Sequence, residues 1–139
     1  MKIIVDTNRI IAGLLKDSTC RKILLNEYFE FYTPEYLFEE IENHRNMILV
    51  KSKLNEETFQ IVFELILKRV NVVPKSKFYR YYQEGVQIIG NIDMDDVPFI
   101  SLALSMHNDG IWSEDKDFRK QKRIRIWSTE ELINIIGFA

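Results

Sequence analysis

The chain has 139 residues, 46% of them hydrophobic and 12% aromatic, which suits one globular domain with a full core (1–139) and is too short for two of ordinary size. Only three apolar residues separate Met1-Lys2 from Asp6, too few for a signal-peptide core, and no stretch approaches the ~20 apolar residues of a membrane span, so a soluble protein of the cytoplasm is expected. A lone cysteine, Cys20, excludes an internal disulfide or a thiolate metal site, and a formal net charge of -2 means that any role with nucleic acid requires acids and bases to be segregated along the chain.

Ile3-Ile4-Val5 is apolar and β-branched throughout, the pattern of a central strand buried on both faces, and Asp6 stands at its C-terminal end. Helical stretches begin near Arg9 and near Thr19, and Phe29 to Tyr32 reads as a second strand. Thr33 and Pro34 read as an N-cap and first helical residue, opening a helix that runs to about Ile48. Asn55 caps an acidic first turn, and the spacing of Phe59, Val62, Phe63, Ile66 and Leu67 carries that helix to about Arg69. Val70 to Val73, ended by Pro74, forms a strand, and Phe78 to Ile89 is patterned as a helix stopped by Gly90. The helix from Val97 to about His107 is apolar around most of its circumference and should be deeply buried. Ile111-Trp112 and Ile124 to Trp127 are further strands, and Ser128 with Glu131 makes a capping box for a last helix that Gly137 closes. Alternation of this kind predicts a central, mostly parallel sheet of about five strands with helices on both faces.

In such sheets the functional crevice lies beyond the carboxyl ends of the strands. Asp6 follows the first strand and Asp115 follows Ile111-Trp112, so both face one rim, and Asp96 stands at the entrance of the buried helix leading to that second strand. Along the helix from Pro34, at about 100° per residue, Leu37, Ile41, His44 and Ile48 form an apolar stripe with Glu40 at its edge, whereas Glu39 and Glu42 point away. Converging carboxylates repel one another unless cations neutralise them, and hard divalent ions with oxygen ligands are the natural partners, since no Cys/His spacing competes. One or two Mg²⁺ or Mn²⁺ ions in such a site favour metal-assisted hydrolysis of a phosphodiester.

Ile4-Val5-Asp6-Thr7-Asn8 resembles the opening strand and first catalytic aspartate of the PIN-domain nucleases. Thr33-Pro34-Glu35 with Glu40-Ile41 resembles the helix that carries that family's glutamate. Asp93-Met94-Asp95-Asp96-Val97-Pro98-Phe99-Ile100, with Leu102-Ala103-Leu104, resembles its third block, and Trp112-Ser113-Glu114-Asp115-Lys116-Asp117-Phe118 its fourth. Together the blocks run in order from Lys2 to about Ile136. The resemblance implies a three-layer α/β/α sandwich, a homodimer, and single-stranded RNA as substrate; many small members of this look are toxins of toxin-antitoxin pairs, which makes an antitoxin protein an expected partner. It implies Asp6, Glu40, Asp96 and Asp115 as catalytic and metal-binding residues. Asp117 comes next among the ligands, and Glu39, Asp95 and nearby Asp93 are the alternatives within their blocks. Asn8 and Ser113 are placed to orient bound water.

Each acid taken singly has a plainer role: Asp6 a turn residue, Asp96 a helix cap, Glu40 a solvated helix edge, Asp115 a surface loop. Lys116, Arg119, Lys120, Lys122, Arg123 and Arg125 form a basic stretch directly after Asp115, either a solvated loop or a phosphate-binding track beside the acids. Tyr79, Tyr81 and Tyr82 around Arg80 suit helix packing more than base stacking. His44 and His107 read as packing or capping residues. A phosphatase would want a second acid where Asn8 stands, and no Walker loop is present. The remaining alternative to a nuclease is an RNA- or protein-binding module that retains the fold without hydrolysis.

Overall fold

The computed structural model describes residues 1–15 and 18–137. Strand β1 (Lys2–Val5) lies at the centre of the sheet. On one side it pairs with β2 (Glu30–Pro34), which pairs with β3 (Val70–Val73); on the other it pairs with β4 (Ile111–Trp112), which pairs with β5 (Ile126–Trp127). All four pairings are parallel. The order β3-β2-β1-β4-β5 is therefore that of an open, doubly wound sheet. Ile3, Ile4 and Val5 are fully buried, and the pleat divides them: Ile3 and Val5 enter one core, Ile4 the other.

The first core is covered by α1 (Thr7–Leu14), α2 (Ser18–Leu25), α3 (Leu37–Asn43), α4 (Arg45–Ser52) and α5 (Glu56–Leu67). The segment between α5 and β4 crosses to the second core, where α6 (Tyr82–Gly85) and α7 (Val97–Ser105) pack on Ile4, Ile111 and Ile126. The last helix, α8 (Thr129–Ile136), returns to the first core through Leu132 and Ile133. The result is a three-layer α/β/α sandwich. No helix among the described residues is long and apolar enough to cross a membrane.

Several local expectations change in the fold. Thr33 and Pro34 are the end of β2 instead of a helix start: Pro34 stands opposite Val73, and the Thr33 hydroxyl donates to the Val5 carbonyl at 3.0 Å. The cross-strand bond claims the side chain that would have capped a helix. The helix expected to reach Ile48 breaks at His44 (φ -103°, ψ 6°), where Asn43 and His44 are successive residues of weak helix propensity, and His44 leaves the apolar stripe and is exposed. Phe78 to Ile89 is a 3₁₀ turn (Tyr79–Tyr81), the short α6 and a π-turn (Val86–Gly90) in place of one α-helix. Gly85 explains the arrangement in part, since a Cβ there would stand 2.6 Å from the Ser101 hydroxyl; only a glycine lets α6 approach α7 so closely. β5 starts at Ile126 because the Gln121 side chain holds the preceding turn, accepting from the Ile124 N–H and donating to the Phe118 and Ile124 carbonyls at 2.8–2.9 Å. The capping box of Ser128 and Glu131 forms as its spacing predicts.

Gly110 enters β4 at φ +130°, and a Cβ there would lie 2.5 Å from the Arg125 carbonyl oxygen and 2.9 Å from the Trp127 ring. Both backbone conformation and space oppose a side chain. Gly110→Ala should therefore destabilise the chain by about 2 kcal/mol or more, read as a fall in urea midpoint; an unchanged midpoint would show that β5 yields freely.

Candidate functional site

The strand order reverses between β1 and β4, and in open parallel sheets such a switch point leaves a crevice at the strands' carboxyl ends. Asp6 leaves β1 there and Ser113 leaves β4. The Ser113 hydroxyl, fully buried, donates to Asp6 Oδ2 at 2.7 Å, and its oxygen accepts the Asp115 N–H at 2.9 Å. One hydroxyl thus ties together two carboxylate-bearing segments 107 residues apart in sequence. Asp6 also caps α1, accepting the Asn8 N–H at 3.4 Å. Burial pushes its pKa up, against the lowering effects of Ser113, the Asn8 N–H and the Arg9 guanidinium.

Glu40 reaches the same crevice from α3, where the Thr7 hydroxyl donates to its Oε1 at 2.6 Å. Its carboxyl is raised to about 7 by burial, with Asp6, Asp95 and Asp93 adding repulsion and the Thr7 bond opposing them. Glu39 is exposed, and Glu42 pairs with Arg45 at 3.8 Å. Thr7→Val keeps the shape and removes the donor, so it should move the Glu40 titration further upward. Carbon-13 NMR of the glutamate carboxyl would show this; a downward move would mean that the hydroxyl does not stabilise the carboxylate.

Asp96 is the decisive residue. It sits between a 3₁₀ turn (Met94–Asp96) and α7 and is only 7% exposed. A cap would accept an N–H from the helix start, yet Asp96 makes no such bond, and its Oδ2 is buried with no hydrogen-bond partner among the described residues. Burial, then the charges of Asp93, Asp115, Asp6 and Asp117, push its pKa up to about 8. Carboxylate oxygens of Asp93, Asp96, Asp115 and Asp117 lie within 4.8 Å of one another. Short turns hold two of them, Asp93 Oδ1 accepting the Asp95 N–H and Asp115 Oδ1 the Asp117 N–H, each at 2.9 Å.

A buried oxygen without a donor and a group of mutually repelling acids are costly in a protein alone. They suit a hard cation, which neutralises the charge and takes the unpartnered oxygen. With no histidine or cysteine in the group, the donor set is all oxygen. The cluster is able to hold a metal ion.

Of the residues expected from sequence, Asp6, Glu40, Asp96, Asp115 and Asp117 gather at the crevice. Asp93, set aside as merely nearby, belongs among them; its i, i+3 relation to Asp96 across one tight turn was the available signal. Asp95 is drawn off by the Tyr36 hydroxyl, which donates to it at 2.9 Å. Ser113 holds the Asp6 carboxylate and the Asp115 backbone N–H, and Asn8 is exposed. Thr7 and Arg9 were missed, being unremarkable as letters. His107, like His44, is exposed, so neither packs in the core; His44 instead takes the capping position between α3 and α4. Much of the basic stretch is already engaged: Arg119 and Arg125 with Glu131 at 3.6 and 3.7 Å, Lys120 with Asp117 at 3.0 Å, Arg123 with Glu84 at 2.9 Å. Lys116 and Lys122 are exposed and make no ion pair among the described residues.

Two concavities adjoin the acids. One, of about 420 Å³, includes Asp6, Asn8, Arg9 and Asp115 in its lining; the other, of about 570 Å³, runs past Tyr36 and Asp95.

No curated protein matches the chain significantly. The PIN domain family profile matches residues 4–134, a span that contains every acid of the crevice. The chain therefore belongs to the PIN domain family, whose members are generally metal-dependent nucleases.

Proposed function

We propose that the chain is an endoribonuclease that hydrolyses phosphodiester bonds of single-stranded RNA with the help of one or two Mg²⁺ or Mn²⁺ ions. The observation that carries this reading is Asp96, which has one buried, unpartnered oxygen and a carboxylate within 4.8 Å of those of Asp93, Asp115 and Asp117. Asp6, Asp96 and Asp115 would hold the ion, with Asp93, Asp117 and Glu40 around them. When bound, such an ion supplies an activated water and neutralises charge on the leaving oxygen.

The chain's own groups do the rest. Ser113 locks Asp6 and Asp115 at a fixed separation, so little reorganisation remains when substrate arrives. Glu40, with a carboxyl near neutrality and Thr7 holding one oxygen, is poised to accept a proton from the attacking water. Lys116 and Lys122 offer unengaged charge to neighbouring phosphates, while Arg119, Lys120 and Arg123 contribute by exchanging a carboxylate for a phosphate. A homodimer acting in the cytoplasm as the toxin of a toxin-antitoxin pair, silenced by an antitoxin protein, is the setting we infer from the family.

The test is incubation of the purified chain with labelled single-stranded RNA, duplex RNA and DNA under Mg²⁺, Mn²⁺ or EDTA, beside Asp6→Asn prepared identically. Metal-dependent cleavage of single-stranded RNA that Asp6→Asn lacks supports the reading. Equal trace cleavage in both samples, or binding without cleavage, overturns it.

A further inference from the structure

The larger concavity is unlike the acidic crevice beside it. Its walls are Tyr36, Phe38, Tyr82 and Met94, with Phe38 47% and Met94 49% exposed. Tyr82 lies nearly parallel to Tyr79 (22°, centroids 6.2 Å apart), and the Lys75 ammonium sits 5.2 Å from the Tyr79 ring. The hollow adjoins the acid site through the chain: Asp95 and Pro98 of its lining stand one residue before and two after Asp96, and the Tyr36 hydroxyl bonds Asp95. Its carboxylates are not equivalent. Glu35 accepts the Lys75 N–H at 2.7 Å and Asp95 holds Tyr36, whereas Glu39 makes no hydrogen bond or ion pair among the described residues.

We propose that this hollow is a nucleobase subsite that reads guanine next to the phosphate positioned at the acidic crevice. The inference rests on the nuclease reading above and adds its base preference. Three carboxylates in the lining, those of Glu35, Glu39 and Asp95, against the one ammonium of Lys75 disfavour phosphate in the hollow, so the strand's backbone stays outside while a flat ring enters among the aromatic walls. A free carboxylate only accepts hydrogen bonds and presents two adjacent oxygens. Of the four bases, guanine alone offers two neighbouring N–H donors, N1–H and the 2-amino group, on one edge. Glu39 is the group placed to take them.

Binding and cleavage separate the two readings. Affinity is measured by fluorescence anisotropy in the Asp96→Asn background, using a labelled uridine tract that carries one guanosine, inosine or abasic unit. Guanosine is expected to bind about tenfold tighter than inosine, which lacks the 2-amino group. Glu39→Gln should close that gap, and exposed Phe38→Ala should weaken the guanosine and inosine strands alike while sparing the abasic one. Equal affinity for all three strands, or no binding of any, overturns the subsite whether or not the wild type cuts RNA. Guanosine-selective binding in a chain whose wild type cuts nothing upholds the subsite and removes the nuclease reading instead.

Discussion

Asp96→Asn is expected to abolish metal-dependent cleavage, by about a thousandfold or more, while making the metal-free chain more stable. The two effects have one cause. At pH 8.5 the wild-type carboxylate is largely ionised in a buried position, with Asp93, Asp115, Asp6 and Asp117 around it and no donor on Oδ2. An amide of the same shape removes one negative charge from that group, and with it repulsion and desolvation worth about 1–3 kcal/mol. Melting in EDTA should rise by several degrees. Saturating Mn²⁺ should reverse the order, because an ion that binds only the folded wild type stabilises it in proportion to the logarithm of its concentration. If Asp96→Asn melts lower than wild type in EDTA at this pH, the carboxylate is a structural group and the metal site must be drawn elsewhere.

The second large effect is a dependence on pH with opposite signs for the bare and the metal-bound chain. Asp96 is raised from an ordinary 3.8 to about 8 and Glu40 from 4.5 to about 7, so folding favours their protonated forms. Stability from this source is complete below about pH 4 and is lost as pH rises through 7 and then 8. Each tenfold gain in a carboxyl's proton affinity on folding corresponds to ~1.4 kcal/mol at most; allowing for solvent access and mutual coupling, ~2–3 kcal/mol should disappear between pH 5 and 9. Ions bind the deprotonated carboxylates, so Mn²⁺ affinity and cleavage rate should climb over the same window and level off above about pH 8. Glu131 acts in the other direction: the Ser128 N–H, and then Arg119 and Arg125, hold its carboxyl low, so its contribution to the α8 cap is present above its ordinary value and fades in acid. Melting curves with and without Mn²⁺ from pH 5 to 9 decide the matter. A bare chain that grows more stable toward pH 9 would contradict the buried-acid account.

The acids that the structure brings near one another each carry a local mark in the sequence. Asp6 ends a β-branched run, Asp115 follows a short strand, Glu40 lies at the edge of a helical stripe, and the structure places all three at one crevice. The basic stretch shows the reverse. Its six cations share ten positions, but four of them find carboxylates on other elements or a turn away, so the free charge is much smaller than the letters suggest. The tyrosines near Arg80 were likewise opaque, since the parallel Tyr79–Tyr82 pair forms across the 3₁₀ turn that replaces the regular helix expected there, with Tyr82 lining the larger hollow.

What the chain determines by itself is short-range: the apolar run of β1, the Asn55 and Ser128 caps, the alternation that makes a parallel sheet, and Asp6 at a strand end. These follow from backbone preferences and from burial periodicity within a few residues. The tertiary structure alone decided that Thr33 and Pro34 finish a strand, that Asp93 joins Asp96, Asp115 and Asp117, and that Ser113 bonds Asp6 across 107 residues. The reason is the reversal of strand order. Setting β4 beside β1 brings distant carboxylates to one crevice, where mutual repulsion and lost hydration, invisible in any local pattern, create the need for a cation.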